Sequence, residues 1–296
     1  MTDVACDVVC IASWNADLVS RVARPIARGE TLMAHSFDIQ PGGKGSNAAV
    51  AAARQGAKVG VIARIGGDDF GRMALALWTK EGIATQHVEV AANERSGVAQ
   101  ILVFDDGDNS IAVATGAGAG LGKANVDAAC EAIRAAKVVM ASNEVPMAAT
   151  MAAFKIARAA GVTTILNPAP AVTLPDELLL LVDVLTPNES EAQGLFGRGA
   201  GAIIVTLGSK GCVIYQDGKP AQTPSCTIYG WPMQVVDTIG AGDTFTGALA
   251  AAIARGETLV LAAQSANAAA ALSVTGRGAI AAMPTLSQSQ NLKNLK

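Results

Sequence analysis

From Val59 to Thr206, short apolar runs alternate with longer segments of helical character, and this alternation restricts the fold more than any single motif. Val59 to Ala63, Val138 to Ala141, Thr163 to Leu166, Asp183 to Thr186 and Ala202 to Thr206 read as strands. Phe70 to Lys80, Val126 to Ala135, Met147 to Ala160 and Glu189 to Leu195 read as helices. Ahead of them, Val8 to Ala12 is a further strand and Ala48 to Gln55 an alanine-rich helix. Such alternation predicts an α/β chain, a doubly wound and mostly parallel sheet flanked by helices. Aromatic residues are only 4% of the chain. Ala, Gly and Val take their place, which suits close helix-on-sheet packing and argues against a stacking platform for bases.

Two segments break the rhythm. Val19 to Val22 and Thr31 to Ile39 read as exposed strands around a loop at Pro25 and Gly29. Val98 to Phe104 and Ile111 to Ala114 flank the turn Asp105-Asp106-Gly107-Asp108-Asn109 as a hairpin. Together they predict a small β-sheet lid, about residues 14–41 and 95–115, within one domain spanning 1–296.

In doubly wound sheets, ligands bind beyond the carboxyl ends of the strands. Polar residues recur there: Asn15 and Asp17, Ser142-Asn143-Glu144, Asn167-Pro168, Pro187-Asn188-Glu189-Ser190-Glu191 and Leu207-Gly208-Ser209-Lys210-Gly211. The chemistry concentrates in Val235-Val236-Asp237-Thr238-Ile239-Gly240-Ala241-Gly242-Asp243-Thr244-Phe245. Glycines at 240 and 242 leave backbone N–H groups uncovered at a helix start, a place that favours an anion. A carboxylate in that turn, Asp243, makes sense as a base that takes a proton from an attacking hydroxyl. The same pattern also serves as a turn with an Asp helix cap. Gly42-Gly43-Lys44-Gly45 reads as a phosphate-cradling loop or as a lid hinge, with Asn47 at the following helix start. Asn188 and Glu191, three apart on a first helical turn, offer hard oxygen ligands for Mg²⁺ or form a capping box. Asp237 and the carbonyl-rich turn at Ile239, with Thr275 to Ala279, have the oxygens to wrap a monovalent cation. Gly116 to Gly122 fails the spacing of a dinucleotide fingerprint and reads as a loop.

Several classes are disfavoured. The net charge of -3, with no basic block, argues against nucleic acid. Five scattered cysteines without a Cys-x-x-Cys suggest reduced thiols in a cytoplasmic protein. Two histidines, His35 and His87, make a zinc site improbable. Asp3 and Asp7 around a short apolar run do not read as a signal peptide. Leu259 to Gly276, the longest uncharged run, reads as a buried helix and not a membrane span.

Taken together, these residues resemble the ribokinase (PfkB-type) family of sugar kinases over nearly the whole chain. The most specific parts are Gly42-Gly43-Lys44-Gly45-Ser46-Asn47 and Asp237 to Phe245. Asn167-Pro168-Ala169-Pro170-Ala171, Leu174-Pro175-Asp176-Glu177-Leu178 and Thr186-Pro187-Asn188-Glu189 are similar to ribokinases, as distinct from fructokinases or adenosine kinases. The resemblance implies a ribokinase-like fold and ATP-dependent phosphorylation of D-ribose to ribose 5-phosphate. In it Asp243 is the general base, and the turn Gly240, Ala241, Gly242, with the N–H of Asp243, is the anion hole. Asn15, Asp17, Gly42, Gly43, Lys44, Asn47 and Glu144, together with Asp243, hold the sugar. Asn188 and Glu191 organise Mg²⁺. Asn188, Thr206, Leu207, Gly208, Ser209, Lys210, Gly211, Gly242 and Asn267 line the ATP site. Asp237, Ile239, Ser273, Gly276 and Gly278 surround K⁺, and the lid forms a homodimer interface. Two departures stand out. The segment from Ala192 to Gly201 is short where relatives usually carry another helix, and Ala282 replaces a residue that tends to be polar near the cation. Another sugar, a nucleoside, or a silent sugar or nucleotide binder remain as alternatives.

Overall fold

In the computed structural model, which describes residues 5–216 and 224–295, the alternating runs gather into one nine-stranded sheet with a separate four-stranded sheet beside it. Asp3 lies outside the described residues. In chain order the strands are β1 (Val8–Ile11), β2 (Asn15–Val22), β3 (Ser36–Gly42), β4 (Val59–Gly66), β5 (Ala84–Ala91), β6 (Gly97–Phe104), β7 (Asn109–Ala114), β8 (Val138–Ser142), β9 (Thr163–Asn167), β10 (Val184–Leu185), β11 (Ala202–Thr206), β12 (Gly211–Gln216) and β13 (Cys226–Tyr229). The helices are α1 (Lys44–Arg54), α2 (Asp69–Lys80), α3 (Lys123–Ala128), α4 (Cys130–Ala135), α5 (Met147–Ala159), α6 (Asp176–Leu179), α7 (Ala241–Ala254), α8 (Leu259–Ser273) and α9 (Leu286–Lys293).

The large sheet runs β13-β12-β11-β10-β9-β8-β1-β4-β5. It is parallel from β11 to β5, and β12 and β13 add an antiparallel edge. β1 shows why its strands read as unbroken apolar runs. Val8 and Cys10 join the core under α1 and α7, while Val9 and Ile11 join the core under α3, α4 and α5. A strand covered on both faces needs apolar residues at every position. The small sheet runs β3-β2-β6-β7, with β2 and β6 parallel and the outer pairs antiparallel. β2 leaves the end of β1 after Ala12, Ser13 and Trp14, so the lid grows directly from the large sheet's carboxyl edge.

Some sequence expectations need correction. Glu189 to Leu195 is a run of turns and not a helix, because the chain passes through a left-handed Gly194 (φ 74) soon after Asn188. Val126 to Ala135 is broken into α3 and α4 at Ala129. β3 starts only at Ser36, and α1 starts at Lys44, so the lysine lies in the helix's first turn and not in a preceding loop, while Asn47 stands near the helix start as expected. β5 and β13 escaped the reading because edge strands mix polar and apolar residues; β12, an inner strand between β11 and β13, went unread although Cys212 to Tyr215 is an apolar run. Gly116–Gly120 forms a short 3₁₀ turn, consistent with a connector.

α1 and α7 touch through their backbones at Gly247. A Cβ there would meet the Ala48 carbonyl oxygen and stand 2.8 Å from Ala51 Cβ and 2.9 Å from Ala52 N. Alanine gains about 1 kcal/mol over glycine as a helix former. Overpacking costs about 1–3 kcal/mol, and a backbone obstacle cannot rotate away. Gly247→Ala is therefore expected to lower the thermal midpoint by calorimetry; an unchanged or raised midpoint would contradict the close contact.

Candidate active site

The ends of β9, β10 and β11 place Asn167, Thr186 and Thr206 along a cleft of about 620 Å³. Lys44 of α1, Asn267 of α8 and the turn Gly240 to Asp243 complete its polar wall. Polar residues at successive strand ends thus converge on one cleft, as a doubly wound sheet requires.

Gly240 carries a left-handed backbone (φ 77) and turns the chain into α7. The Ala241 N–H donates to the Thr238 carbonyl at 3.2 Å. Gly242 and Asp243 occupy the next first-turn positions, where N–H groups have no intrahelical acceptor. Thr246 supports this turn from within α7. Its hydroxyl donates to the Gly242 carbonyl at 3.0 Å and pairs with the Thr186 hydroxyl at 2.9 Å.

Asp243 sits at the third helical position, buried, and its Oδ2 accepts the Asn47 Nδ2–H at 2.8 Å. The other amide atom, Asn47 Oδ1, is buried without a hydrogen-bond partner. Such an atom costs about 1–3 kcal/mol and is satisfied once a ligand hydroxyl donates to it. Burial pushes the Asp243 carboxyl upward, against the pull of Lys44 and the Asn47 amide. A base poised towards neutrality takes a hydroxyl proton more readily than an ordinary carboxylate. Lys44 is held above its usual range, chiefly by Asp243 and then by Glu144, Glu191 and Asp17, with burial opposing.

Asp17 on β2 lies against Gly42 of β3. Burial first, then Glu144 and Asp243, raise its carboxyl to about 7, and Lys44 pulls the other way. Asn15, at the start of β2, is buried and points its Oδ1 at Gly97 of β6. Glu144 Oε2 accepts from the Ser13 hydroxyl and from the Lys44 backbone N–H, each at 2.7 Å. The Ser13 Oγ in turn accepts the Gly45 N–H at 3.0 Å. Gly43 precedes α1 with φ 91 and stands over the Ser13 carbonyl. Ser13 was missed in the sequence; its position just beyond β1 was the available signal.

Asn188 and Glu191 face the cleft and make the two reciprocal bonds of a capping box, here at the head of a run of turns and not of a helix. Asn188 Oδ1 accepts from the Glu191 N–H at 2.9 Å, and Glu191 Oε2 accepts from the Asn188 N–H at 2.9 Å. Thr206, Gly208, Ser209 and Gly211 line the same cleft; Leu207 and Lys210 belong to the turn but not to its lining. Thr238, within the glycine-rich motif, also lines it but was given no role, and Trp231, Ala271 and Val274 were missed because none stands in a recognisable local pattern. Among the described residues there is no group of three His, Cys, Asp or Glu fit to hold a metal unaided. One carboxylate and one amide oxygen suit Mg²⁺ that takes its remaining ligands from phosphates and water.

The residues expected around a monovalent cation cluster behind the turn. Asp237 Oδ1 accepts the Ile239 N–H at 3.0 Å and Oδ2 the Gly278 N–H at 2.9 Å. Ser273 donates its hydroxyl to the Ala270 carbonyl at 2.8 Å and also carries a helix-end carbonyl. Gly276 packs on Ala282, which has no side-chain oxygen. The buried Cys10 thiol donates to the Gly45 carbonyl at 3.3 Å and is pushed upward by burial and Asp243, so it is no nucleophile. All five cysteines are thiols, and no helix among the described residues is long and apolar enough to cross a membrane.

The pattern of the pfkB family carbohydrate kinases matches residues 6–286. The ribokinase of Haemophilus influenzae is 38% identical over 293 residues, covering 93% of this chain and 94% of that relative. The ribokinase of Bacillus subtilis is 36% identical over 295 residues, covering 97% and 99%. The structure of Arabidopsis thaliana ribokinase complexed with ribose and ATP superposes with a TM-score of 0.91 at 32% identity, covering 99% of this chain and 100% of that one.

Asp17 carries a stability signature of its own. Its carboxyl keeps a proton in the fold that the unfolded chain releases between 3.8 and about 7, so its contribution falls as pH rises through that window. In the ligand-free protein, Asp17→Asn is expected to raise the thermal midpoint more at about pH 8 than at about pH 4.5. A gain independent of pH would contradict the assignment.

Proposed function

The chain belongs to the pfkB family of carbohydrate kinases, and on that premise we propose that it transfers the γ-phosphoryl group of ATP to the terminal hydroxyl of D-ribose, giving D-ribose 5-phosphate. The observation that carries this reading is the buried Asp243 carboxylate, fixed by Asn47 at the head of α7 and facing the cleft beside Lys44. An acid at an anion-binding helix start serves transfer better than mere binding.

In the proposed reaction the sugar lies among Asn15, Asp17, Gly42, Gly43, Lys44, Asn47 and Glu144. Asp243 takes the proton of the terminal hydroxyl as its oxygen attacks the γ-phosphorus. The bond to the β-phosphate oxygen breaks, and ADP leaves with that electron pair. The N–H groups of Gly242 and Asp243, with that of Ala241 shared with Thr238, face the charge that develops on the phosphoryl oxygens. Thr206, Gly208, Ser209, Gly211 and Asn267 hold the nucleotide, with Leu207 and Lys210 shaping the turn. Asn188 and Glu191 would hold Mg²⁺, directly or through water, and the ion supplies charge neutralisation at the phosphates. Asp237 and the carbonyls of Ile239, Ser273, Gly276 and Gly278 would hold K⁺, whose positive charge favours an anion at the neighbouring turn. The lid, residues 14–41 and 95–115 of a single 1–296 domain, closes over the sugar and excludes water.

Phe37, Ile39, Ile111 and Val113 stand exposed on the lid strands, which supports a homodimer joined through that sheet. Reduced thiols support a cytoplasmic setting.

Asp243→Asn tests the reading. Turnover is expected to fall about 10²–10⁴-fold or more, while sugar affinity by calorimetry stays within a few fold. Turnover at the wild-type rate would sink the role of the base.

A further inference from the structure

Behind the Gly240 turn lies a stretch of irregular backbone, residues 274–285, that contributes no side chain to the chemistry. It nevertheless forms the floor on which the turn rests. A Cβ on Gly240 would come within 2.8 Å of Ala279 Cβ, 2.9 Å of its Cα and 3.0 Å of its carbonyl oxygen. Asp237 ties the same two segments together by accepting from both Ile239 and Gly278. Any shift of residues 278–280 therefore moves the N–H groups that follow Gly240.

An irregular segment has no regular ladder to fix it; within it the Met283 N–H donates to the Ile280 carbonyl at 3.1 Å, and outside donors complete the pairing of its carbonyls. The far end of α1 supplies them. Arg54 Nη1 donates to the Ile280 carbonyl at 2.7 Å and to the Met283 carbonyl at 3.0 Å. The next residue, Gln55, donates through Nε2 to the Pro284 carbonyl at 2.8 Å. The guanidinium is aimed by Glu81, the residue that follows α2, which accepts from Nε at 3.0 Å and from Nη2 at 2.7 Å. Hydrogen bonds from a charged donor are about twice as strong as neutral ones, and the paired carboxylate keeps the fork in one orientation. Arg255, just beyond α7, closes the circuit by donating to the Gln55 carbonyl at 2.6 Å.

We infer that Arg54 is a positioning residue for phosphoryl transfer: its grip on the Ile280 and Met283 carbonyls sets the floor under the Gly240 turn and so the aim of the anion hole. The inference rests on the reading of that turn as the transfer centre. α1 then governs both halves of the reaction. Its first turn holds the base through Asn47, and its last turn holds the anion hole through Arg54.

The test compares Arg54→Met, Arg54→Lys and Glu81→Gln in steady-state kinetics with D-ribose and Mg-ATP, alongside sugar affinity by calorimetry and thermal unfolding. Misplacement of about 1 Å can cost about 10²-fold in rate. Arg54→Met is expected to lower kcat by about 10–100-fold, with KM for the sugar and its affinity within about 3-fold. Arg54→Lys, which keeps the charge but loses the fork, is expected to fall between, and it carries the test if the methionine variant does not fold. Glu81→Gln, which keeps Arg54 but weakens the pair that aims its fork, is expected to lower kcat by less than Arg54→Met, again with sugar KM within about 3-fold. Loss of thermal midpoint with kcat unchanged would make Arg54 merely structural and overturn the inference. A rise in sugar KM at constant kcat would overturn it as well. A wild-type protein without sugar-dependent turnover would remove the proposed function and this inference together, an outcome distinct from both.

Discussion

The site depends on the backbone contact between α1 and α7 at Gly247. Both helices start at the carboxyl edge of the sheet, one at Lys44 and the other at Ala241. Because Gly247 lets the Ala48 carbonyl come close, the first turns of the two helices share one small volume. Asn47 reaches Asp243 at 2.8 Å across that gap. No loop is needed to bring the base to the side chains that surround it, and rigid elements hold such geometry better than loops do. The alanine-rich faces of α1, α7 and α8 follow from the same need, since larger side chains would push the helices apart.

Charge explains how this partly buried volume is kept polar. Asp17, Glu144 and Asp243 surround a single lysine, Lys44. Burial keeps the carboxyls of Asp17 and Asp243 above their ordinary range, and Lys44 limits the cost. Glu144 is tied down by Ser13 and by the start of α1, so its position is fixed before any ligand arrives. Asn47 Oδ1 remains as a buried acceptor awaiting a donor. A polyhydroxylated ring brings several hydroxyl donors to such a set.

Much of this was legible in the sequence, for physical reasons that differ by element. The central strands β1, β8, β9 and β11 announce themselves because burial on both faces leaves only apolar residues. The turn before α7 is legible because glycines, a helix start and an acid form a local pattern with a mechanism. Glu189 to Leu195 misled because its apolar spacing fits a helix, while Gly194 breaks it. The edge strands β5 and β13 were hidden by their half-exposed character. Trp231 and Val274 join the site only through tertiary placement. Arg54 lies at the opposite end of α1 from the reactive residues, and its partners lie 226 and 229 residues away in the chain. No local pattern announces a contact of that kind.

The most direct measurement is ADP release with Mg-ATP across a panel of D-ribose, deoxyribose, fructose, ribulose, pseudouridine and adenosine, each with and without K⁺. The account predicts a clear preference for D-ribose, product carrying the phosphate on its terminal hydroxyl, and stimulation by K⁺. Preference for a nucleoside or a keto-sugar would contradict the reading of Asn15, Asp17 and Lys44 as a cradle for a small ring. ADP release that no sugar on the panel stimulates would contradict the central claim that Asp243 is a base for a sugar hydroxyl.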